Sequence, residues 1–230
     1  MINSNGFGGN YRYGQRINAA NKRLYEIDVA YMKDPKESKS YTRNGSGARY
    51  VEGKTNLAVD FRFAYGHQRE KYHKHDLGGI AVRRFYNFGP AVILLKPIYY
   101  EVSDSPYGGD NLPAQKYNPF WTNKYILSRA SFFKGFGEIK FIPGVFAKFG
   151  YNFEFGSQDR IIHALEVGAV GELFIKEVQI MNFENPHPNQ TKFAQNQRVF
   201  LTIFFCYRFG RIVDPYEVKK KRERNKEISY

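Results

Sequence analysis

The feature that most constrains this chain is an alternation of apolar and polar residues with a period of two. Within residues 56–68, for example, Phe61 falls on one side of an extended chain and Asp60 and Arg62 on the other. The pattern is strictest in four segments, residues 23–32, 56–68, 145–153 and 199–209. A period of two is typical of β-strands with one face buried. With 17% aromatic residues, which favour strands, the sequence predicts an all-β fold.

Three further segments predict strands with weaker alternation, residues 6–16, 78–102 and 161–176. The segment 78–102 is longer than an ordinary strand, so it is either one kinked strand or a hairpin that turns at residues 87–90. A short helix is expected over residues 122–133, where the apolar side chains recur near helical spacing.

The predicted connections alternate between short and long, as in membrane barrels with tight turns at one end and long loops at the other. The tally gives seven strands, whereas a closed single-chain outer-membrane barrel normally has an even number. The missing strand could be half of a hairpin at residues 87–90, a strand within residues 103–135, or a segment upstream of Met1. We hypothesise the hairpin or the upstream segment.

No run of residues approaches the ~18 to 20 consecutive apolar residues of a membrane-spanning helix. A spanning β-barrel remains open, because its strands need only ~9 to 11 residues with every second one apolar. The mean hydropathy of -0.57 is compatible with such a barrel. The first residues contain no apolar signal segment, so either the protein stays inside the cell or Met1 is not the start of the precursor.

The polar face of the predicted strands indicates what surrounds the barrel. It carries small residues and isolated charges of both signs, whereas a soluble lipocalin-like barrel would present a densely polar face to water. Opposite charges can pair across a narrow lumen. We expect a lumen network of Glu26, Asp28, Asp60, Arg62, Lys148, Glu154, Glu166, Glu172 and Arg208. Phe61, Phe149 and Phe205 should then face outward, with aromatic girdles near the strand ends.

The last strand ends in Cys206, Tyr207, Arg208, Phe209 and Gly210, and resembles the closing strand of Bacteroidota outer-membrane β-barrels. Segments 95–102, 129–136 and 143–150 are similar to segments of small barrels from that phylum. Barrels of this kind include accessory components of type IX secretion and gliding motility, such as the PorD-like and PorG-like proteins. The resemblance implies an outer-membrane location and a role in a secretion machine.

Residues that could carry chemistry have more ordinary interpretations. His67, His73 and His75 contain a His-x-His pair, yet the surrounding Lys and Arg disfavour a cation site, so we expect a polar loop and no metal. His163 beside Glu166 leaves a barrel enzyme, a protease or lipid-modifying enzyme, as an alternative. We expect no cofactor. The single Cys206 excludes an intramolecular disulfide.

The formal net charge of +13 is concentrated in part at the C-terminus. We divide the chain into a barrel, residues 1–210, and a basic tail, residues 211–230. The tail is interpreted as a solvated periplasmic segment that could dock an acidic partner rather than nucleic acid, through Lys219, Lys220, Lys221, Arg222, Arg224 and Lys226.

Together these features predict a membrane-spanning, antiparallel up-and-down β-barrel of about eight strands with one short helix in a long loop. Eight strands leave room only for side chains, so no general pore is expected. The expected function is non-enzymatic, as a structural or interaction component of an envelope secretion machine. The expected partners are outer-membrane lipid and other envelope proteins, and a soluble ligand-binding barrel is a further alternative.

Overall fold

The computed structural model describes residues 1–41, 49–74, 78–105, 111–118, 125–155, 161–182 and 197–213. In this part of the chain, no helix has the length and apolar character needed to cross a membrane. The expected all-β fold is confirmed. The thirteen strands are β1 (Ile2–Asn3), β2 (Gly6–Arg16), β3 (Asn21–Met32), β4 (Lys39–Tyr41), β5 (Arg49–Val51), β6 (Asn56–Tyr72), β7 (Ala81–Pro97), β8 (Tyr99–Ser103), β9 (Asn111–Lys116), β10 (Tyr125–Arg129), β11 (Lys140–Phe155), β12 (Ile161–Val178) and β13 (Gln197–Arg211).

Eight of these strands form one antiparallel ring in the order β1-β13-β12-β11-β7-β6-β3-β2. Neighbours along the chain pair with each other, which is the expected up-and-down connectivity. β1 closes the ring: Ile2 lies opposite Phe205 of β13 on one side and opposite Phe7 of β2 on the other. The eighth strand is therefore a very short one at the N-terminus.

The hairpin hypothesised at residues 87–90 is wrong, because Ala81–Pro97 is one continuous strand. Its register with β6 is the same before and after Gly89 and Pro90, but the two pairs at those residues are missing. Proline has no N–H to donate to a neighbouring strand, so it interrupts the ladder without turning the chain.

The two ends of the ring differ in the length of their connections. At the short-turn end, residues 17–20, 73–80 and 156–160 join the strands. At the long-loop end, residues 33–55, 98–139 and 179–196 do so, together with the two-residue turn 4–5 between β1 and β2. The long loops contain additional structure, with a β4-β5 pair in the first and a three-stranded sheet β10-β8-β9 in the second. β13 runs toward the short-turn end, so Arg211 lies there.

The helix expected over residues 122–133 is not confirmed. Tyr125–Arg129 forms β10, which pairs with β8, and the first helical turn comes later, as a 3-10 turn at Phe136–Glu138. A short apolar pattern fits either a helix or a strand, and the available strand partner decides between them. Residues 119–124 lie outside the described part of the chain.

Alternation along each strand divides the barrel into an apolar outer surface and a charged interior. Phe149 and Phe205 are each 50% exposed on the outside, whereas Asp60 is 0% and Lys148 1% exposed inside. Phe61 has the outward position between the inward Asp60 and Arg62. The orientation of the two faces is thus the one expected from the sequence.

Inside the ring, the side chains form layers. Near the long-loop end the interior is apolar, with Met32, Leu95, Ile142, Phe174 and Met181 in one buried cluster. The charged residues occupy the middle of the barrel. Two glycines make room there, because Gly150 and Gly168 lie opposite each other on β11 and β12 against the rings of Phe85 and Phe204.

Candidate functional site

The centre of the lumen is a network of buried charges that links five strands. Glu26 on β3 accepts hydrogen bonds from Lys148 Nζ at 2.7 Å and from Arg12 Nε at 2.6 Å, and Arg208 Nη2 lies 3.4 Å away. Arg12 and Arg208 also bind Glu166, at 2.6 and 2.8 Å. Two carboxylates and three cations therefore hold β2, β3, β11, β12 and β13 to one another across the barrel.

A second charged cluster lies beside the first. Arg62 Nε donates to Glu172 Oε1 at 2.6 Å and lies 2.5 Å from Asp60 Oδ2, outside hydrogen-bonding geometry. Lys148 joins the two clusters through its bond of 2.9 Å to Asp28. The low dielectric of such an interior makes unpaired charges costly, so paired charges are the arrangement that the lumen can tolerate.

Amides and aromatic rings complete the network. Asn87 donates to Glu26 at 2.7 Å, and Asn152 donates to Glu166 at 2.8 Å. The guanidinium of Arg12 lies 4.5 Å from the ring centre of Phe85, and Lys148 Nζ lies 4.8 Å from that of Phe204. Both are cation-π contacts.

Sequence reasoning missed two of these side chains. Arg12 and Asn87 were not among the expected lumen residues, although each stands at an inward position of an alternating segment. The alternation between the exposed Tyr11 and Tyr13 could have identified Arg12. The glycine-rich composition of β2 concealed this signal.

The expected network residues do not all meet. Glu154 lies apart from the others, near the short-turn end, where it contacts Arg83 and lies 3.6 Å from Lys74. Arg83 also binds Glu70 at 2.9 Å, and His73 Nδ1 lies 2.6 Å from the same carboxylate. The interior thus has a separate ring of charges at this end, which is partly open to solvent.

His163 and Glu166, which were considered as a catalytic pair, lie on opposite faces of the sheet. Glu166 is inside the barrel, whereas His163 on the same strand bonds the Tyr207 hydroxyl on the outside, at 2.7 Å. His67 lies against Tyr86 on the outer wall. His75 lies outside the described residues, and within those residues no group of His, Cys, Asp and Glu could hold a metal ion. Cys206 is buried in the lumen, 3.8 Å from Asn10.

At the long-loop end, described residues of the three long loops contact one another. Buried Lys54 binds Glu37 and the Tyr31 hydroxyl, each at 2.7 Å, and forms a β-bridge with Met181. The Tyr100 hydroxyl donates to the Lys54 carbonyl at 2.9 Å, and burial raises the pKa of Tyr100 above its ordinary value. We call this group, Glu37, Lys54, Tyr100 and Met181, the cap.

The basic tail lies outside the described residues from position 214 onward, and this includes Lys219, Lys220, Lys221, Arg222, Arg224 and Lys226. Arg211 and the two residues after it are exposed. Comparisons of the chain with protein-family models, with curated proteins and with solved structures find no match.

Proposed function

We propose that this chain is a membrane-spanning β-barrel of the bacterial outer membrane. The observation that carries the proposal is the partition of side chains between the two faces of the ring. Leu201 and Phe205 are 79% and 50% exposed on the outer wall, while Lys148, Asp60 and Glu166 are buried inside. Leaving one large apolar side chain in water costs about 1.5 to 3 kcal/mol, and acyl chains would remove that cost.

The distribution of aromatic residues supports the same proposal. Outward aromatic side chains follow one another around the ring from β2 to β7, with centroid distances of 6.4 Å for Tyr13 and Tyr25, 5.6 Å for Tyr25 and Tyr65, and 6.0 Å for Tyr65 and Phe88. Tyr151 and Tyr207 continue the belt on β11 and β13. Aromatic belts are typical of the lipid-water interfaces of membrane barrels.

The lengths of the connections support one orientation of the barrel across the membrane. Barrels of the outer membrane have short periplasmic turns and longer extracellular loops. The short-turn end would then face the periplasm, together with Arg211 and the basic tail, and the cap would face outward. Buried charged side chains cross the lumen, and a barrel of eight strands leaves room only for side chains, so a general pore is not part of the proposal.

We further propose a structural or interaction role within an envelope machine. Two features support it: ion pairs of buried side chains cross the lumen, and the long loops carry the sheet β10-β8-β9. The resemblance of residues 206–210 to closing strands of Bacteroidota barrels, and of the chain to PorD-like and PorG-like components, suggests type IX secretion and gliding motility as the setting.

Two experiments test the two levels of this proposal. A folded membrane barrel should migrate faster on a detergent gel before heating than after, and should remain in the sarkosyl-insoluble membrane fraction. If the protein is found in the soluble fraction, the membrane assignment is wrong.

A pull-down from native membranes in mild detergent should recover envelope or secretion proteins. Recovery of the barrel alone would contradict the machine role and leave the membrane assignment intact.

A further inference from the structure

Three exposed phenylalanines form a projection at the long-loop end. Phe132, Phe133 and Phe136 stack on one another with ring centroids 5.5 to 6.0 Å apart, and they are 53%, 78% and 46% exposed. We call them the aromatic knob. Its backbone is fixed by Gly135, whose φ of 86° lies in the left-handed region and whose position would bring any Cβ against Tyr99 and Pro97. The knob is thus a constrained turn.

The knob lies over the outer wall of the barrel rather than over its mouth. By the alternation of β7, Lys96 points outward, on the same side as Phe88 and Leu94. Its Nζ lies 4.8 and 5.2 Å from the ring centres of Phe132 and Phe136. The next outward residue on the neighbouring strand is Phe141, opposite Leu94 and 66% exposed. The knob therefore continues the apolar wall of β7 and β11 toward the loops.

The outward aromatic residues of the strands are unevenly distributed at the long-loop end. Near the long-loop end, Phe7 and Tyr31 form one outward aromatic pair, with centroids 5.5 Å apart, but β12 and β13 present aliphatic residues such as Ile175 and Leu201. On β7 the corresponding outward position is Lys96. The knob adds aromatic side chains next to Phe141, at the place where β7 itself presents Lys96.

Cations surround the knob. In the part of the chain that the structure describes, Lys96 and Lys134 contact aromatic rings rather than carboxylates, with Lys134 Nζ 5.4 Å from the ring centre of Tyr99. Lys96 is buried beneath the knob, at 7% exposure, whereas Lys134 is exposed. Lys140 and Arg129 are exposed nearby. Long cationic side chains beside aromatic residues can extend their charge to headgroup level while their stems stay in an apolar layer.

We propose that the aromatic knob inserts into the lipid leaflet at the long-loop end, with its rings at the boundary of acyl chains and headgroups and the exposed Lys134 on anionic headgroup phosphates. The proposal rests on the proposed membrane location of the barrel and adds a lipid-binding element outside the strands. The knob would fix the depth and tilt of the barrel on the side of β7 and β11.

The experiment is depth-dependent fluorescence quenching on the full chain in vesicles of phosphatidylcholine and phosphatidylglycerol. Three variants, Phe133→Cys, Phe149→Cys and Tyr41→Cys, are labelled with an environment-sensitive dye. Phe149 reports the middle of the wall, and Tyr41, exposed in β4, reports the loops. The unmodified protein is the control for background labelling, because its only cysteine, Cys206, is buried.

Position 133 should be quenched several-fold more strongly by lipids spin-labelled near the headgroup than by lipids spin-labelled deep in the acyl chain. Position 149 should be quenched by the deep label, and position 41 by neither. Quenching at 149 without quenching at 133 would overturn the knob proposal and leave the membrane barrel standing. Absence of quenching at both positions would overturn the proposed function and the knob with it.

The contact between the knob's lysine and anionic headgroups is tested separately. In the Phe133→Cys background, Lys134→Gln should abolish the gain in quenching that phosphatidylglycerol gives over pure phosphatidylcholine. Lys176→Gln, on an exposed position of β12, is the matched control. An unchanged dependence on phosphatidylglycerol in the Lys134→Gln variant would overturn the role of this lysine.

Discussion

Lys148 Nζ lies 2.7 Å from Glu26 Oε1, although two strands separate β11 from β3 in the ring. The ion pair therefore crosses the interior of the barrel instead of running along its wall. Its neighbours Arg12 and Arg208 approach the same carboxylate from β2 and β13. One buried glutamate thus joins opposite walls, and the lumen is closed by bonds as well as by side-chain volume.

Removing the charge of Lys148 should strongly destabilise the folded protein. Lys148→Met leaves Asp28 without its 2.9 Å partner and weakens the pairing of Glu26 inside the barrel. Breaking one side of a buried ion pair costs about 3 to 5 kcal/mol. We expect a loss of that order in the free energy of unfolding, measured by urea titration of the reconstituted protein. Lys176→Met, at an exposed position of β12, should change it little. Equal stability of the two variants would contradict the role of the network.

The glycine pair in the lumen should be intolerant of a side chain. A Cβ on Gly168 would lie 2.7 Å from the Cα of Gly150 and 2.9 Å from the ring of Phe204. Overpacking of this kind costs about 1 to 3 kcal/mol, so Gly168→Ala should lower the unfolding midpoint. Gly171→Ala on the same strand is the control, because no atom lies within 4 Å of its Cβ position. The prediction fails if both variants unfold at the same denaturant concentration.

The closure of the ring by β1 should leave a weak seam. Among the described residues, β2 beyond Gly8 and β13 beyond Phe205 have no strand partner on the sides that face each other. Unpaired backbone amides exchange with solvent faster than paired ones. Hydrogen exchange should therefore be fast for the amides of β2 and β13 that point to the seam, and slow throughout β6. Uniform protection of β2 and β13 would mean that another segment fills the seam.

The cap should respond to alkaline pH through Tyr100. Burial raises the pKa of this hydroxyl, so the folded state favours the neutral phenol. The resulting stability is fully present below the unfolded pKa of about 10 and decreases as the pH rises above it. Tyr100→Phe should remove that part of the pH dependence. It should also cost about 1 kcal/mol at neutral pH, because the buried Lys54 carbonyl loses its donor.

Thermal unfolding of the reconstituted protein, followed by circular dichroism between about pH 8 and pH 11, measures both effects of this substitution. Tyr41→Phe is the control, since Tyr41 is exposed on β4. If the wild type and Tyr100→Phe lose stability in parallel above pH 10, ionisation of Tyr100 does not govern the cap.

Much of the barrel could be predicted because period two is a local property of the chain. The alternation of Phe61 with Asp60 and Arg62 fixes which side chains share a face, whatever the strand pairs with. The segment 122–133 carried no such signal. Its apolar residues fit a helix, and only pairing with β8 made Tyr125–Arg129 a strand.

By itself, the sequence determined the all-β class, the positions of most strands and the division into an apolar face and a charged face, because each depends on neighbouring residues. The tertiary structure alone decided which charges meet. Arg12 and Glu166 are 154 residues apart, and closure of the ring brings them to 2.6 Å. It also decided that Ile2 and Asn3 complete the ring and that Glu154 pairs apart from the centre. Such contacts depend on strand order and register around the whole barrel, which no single segment encodes.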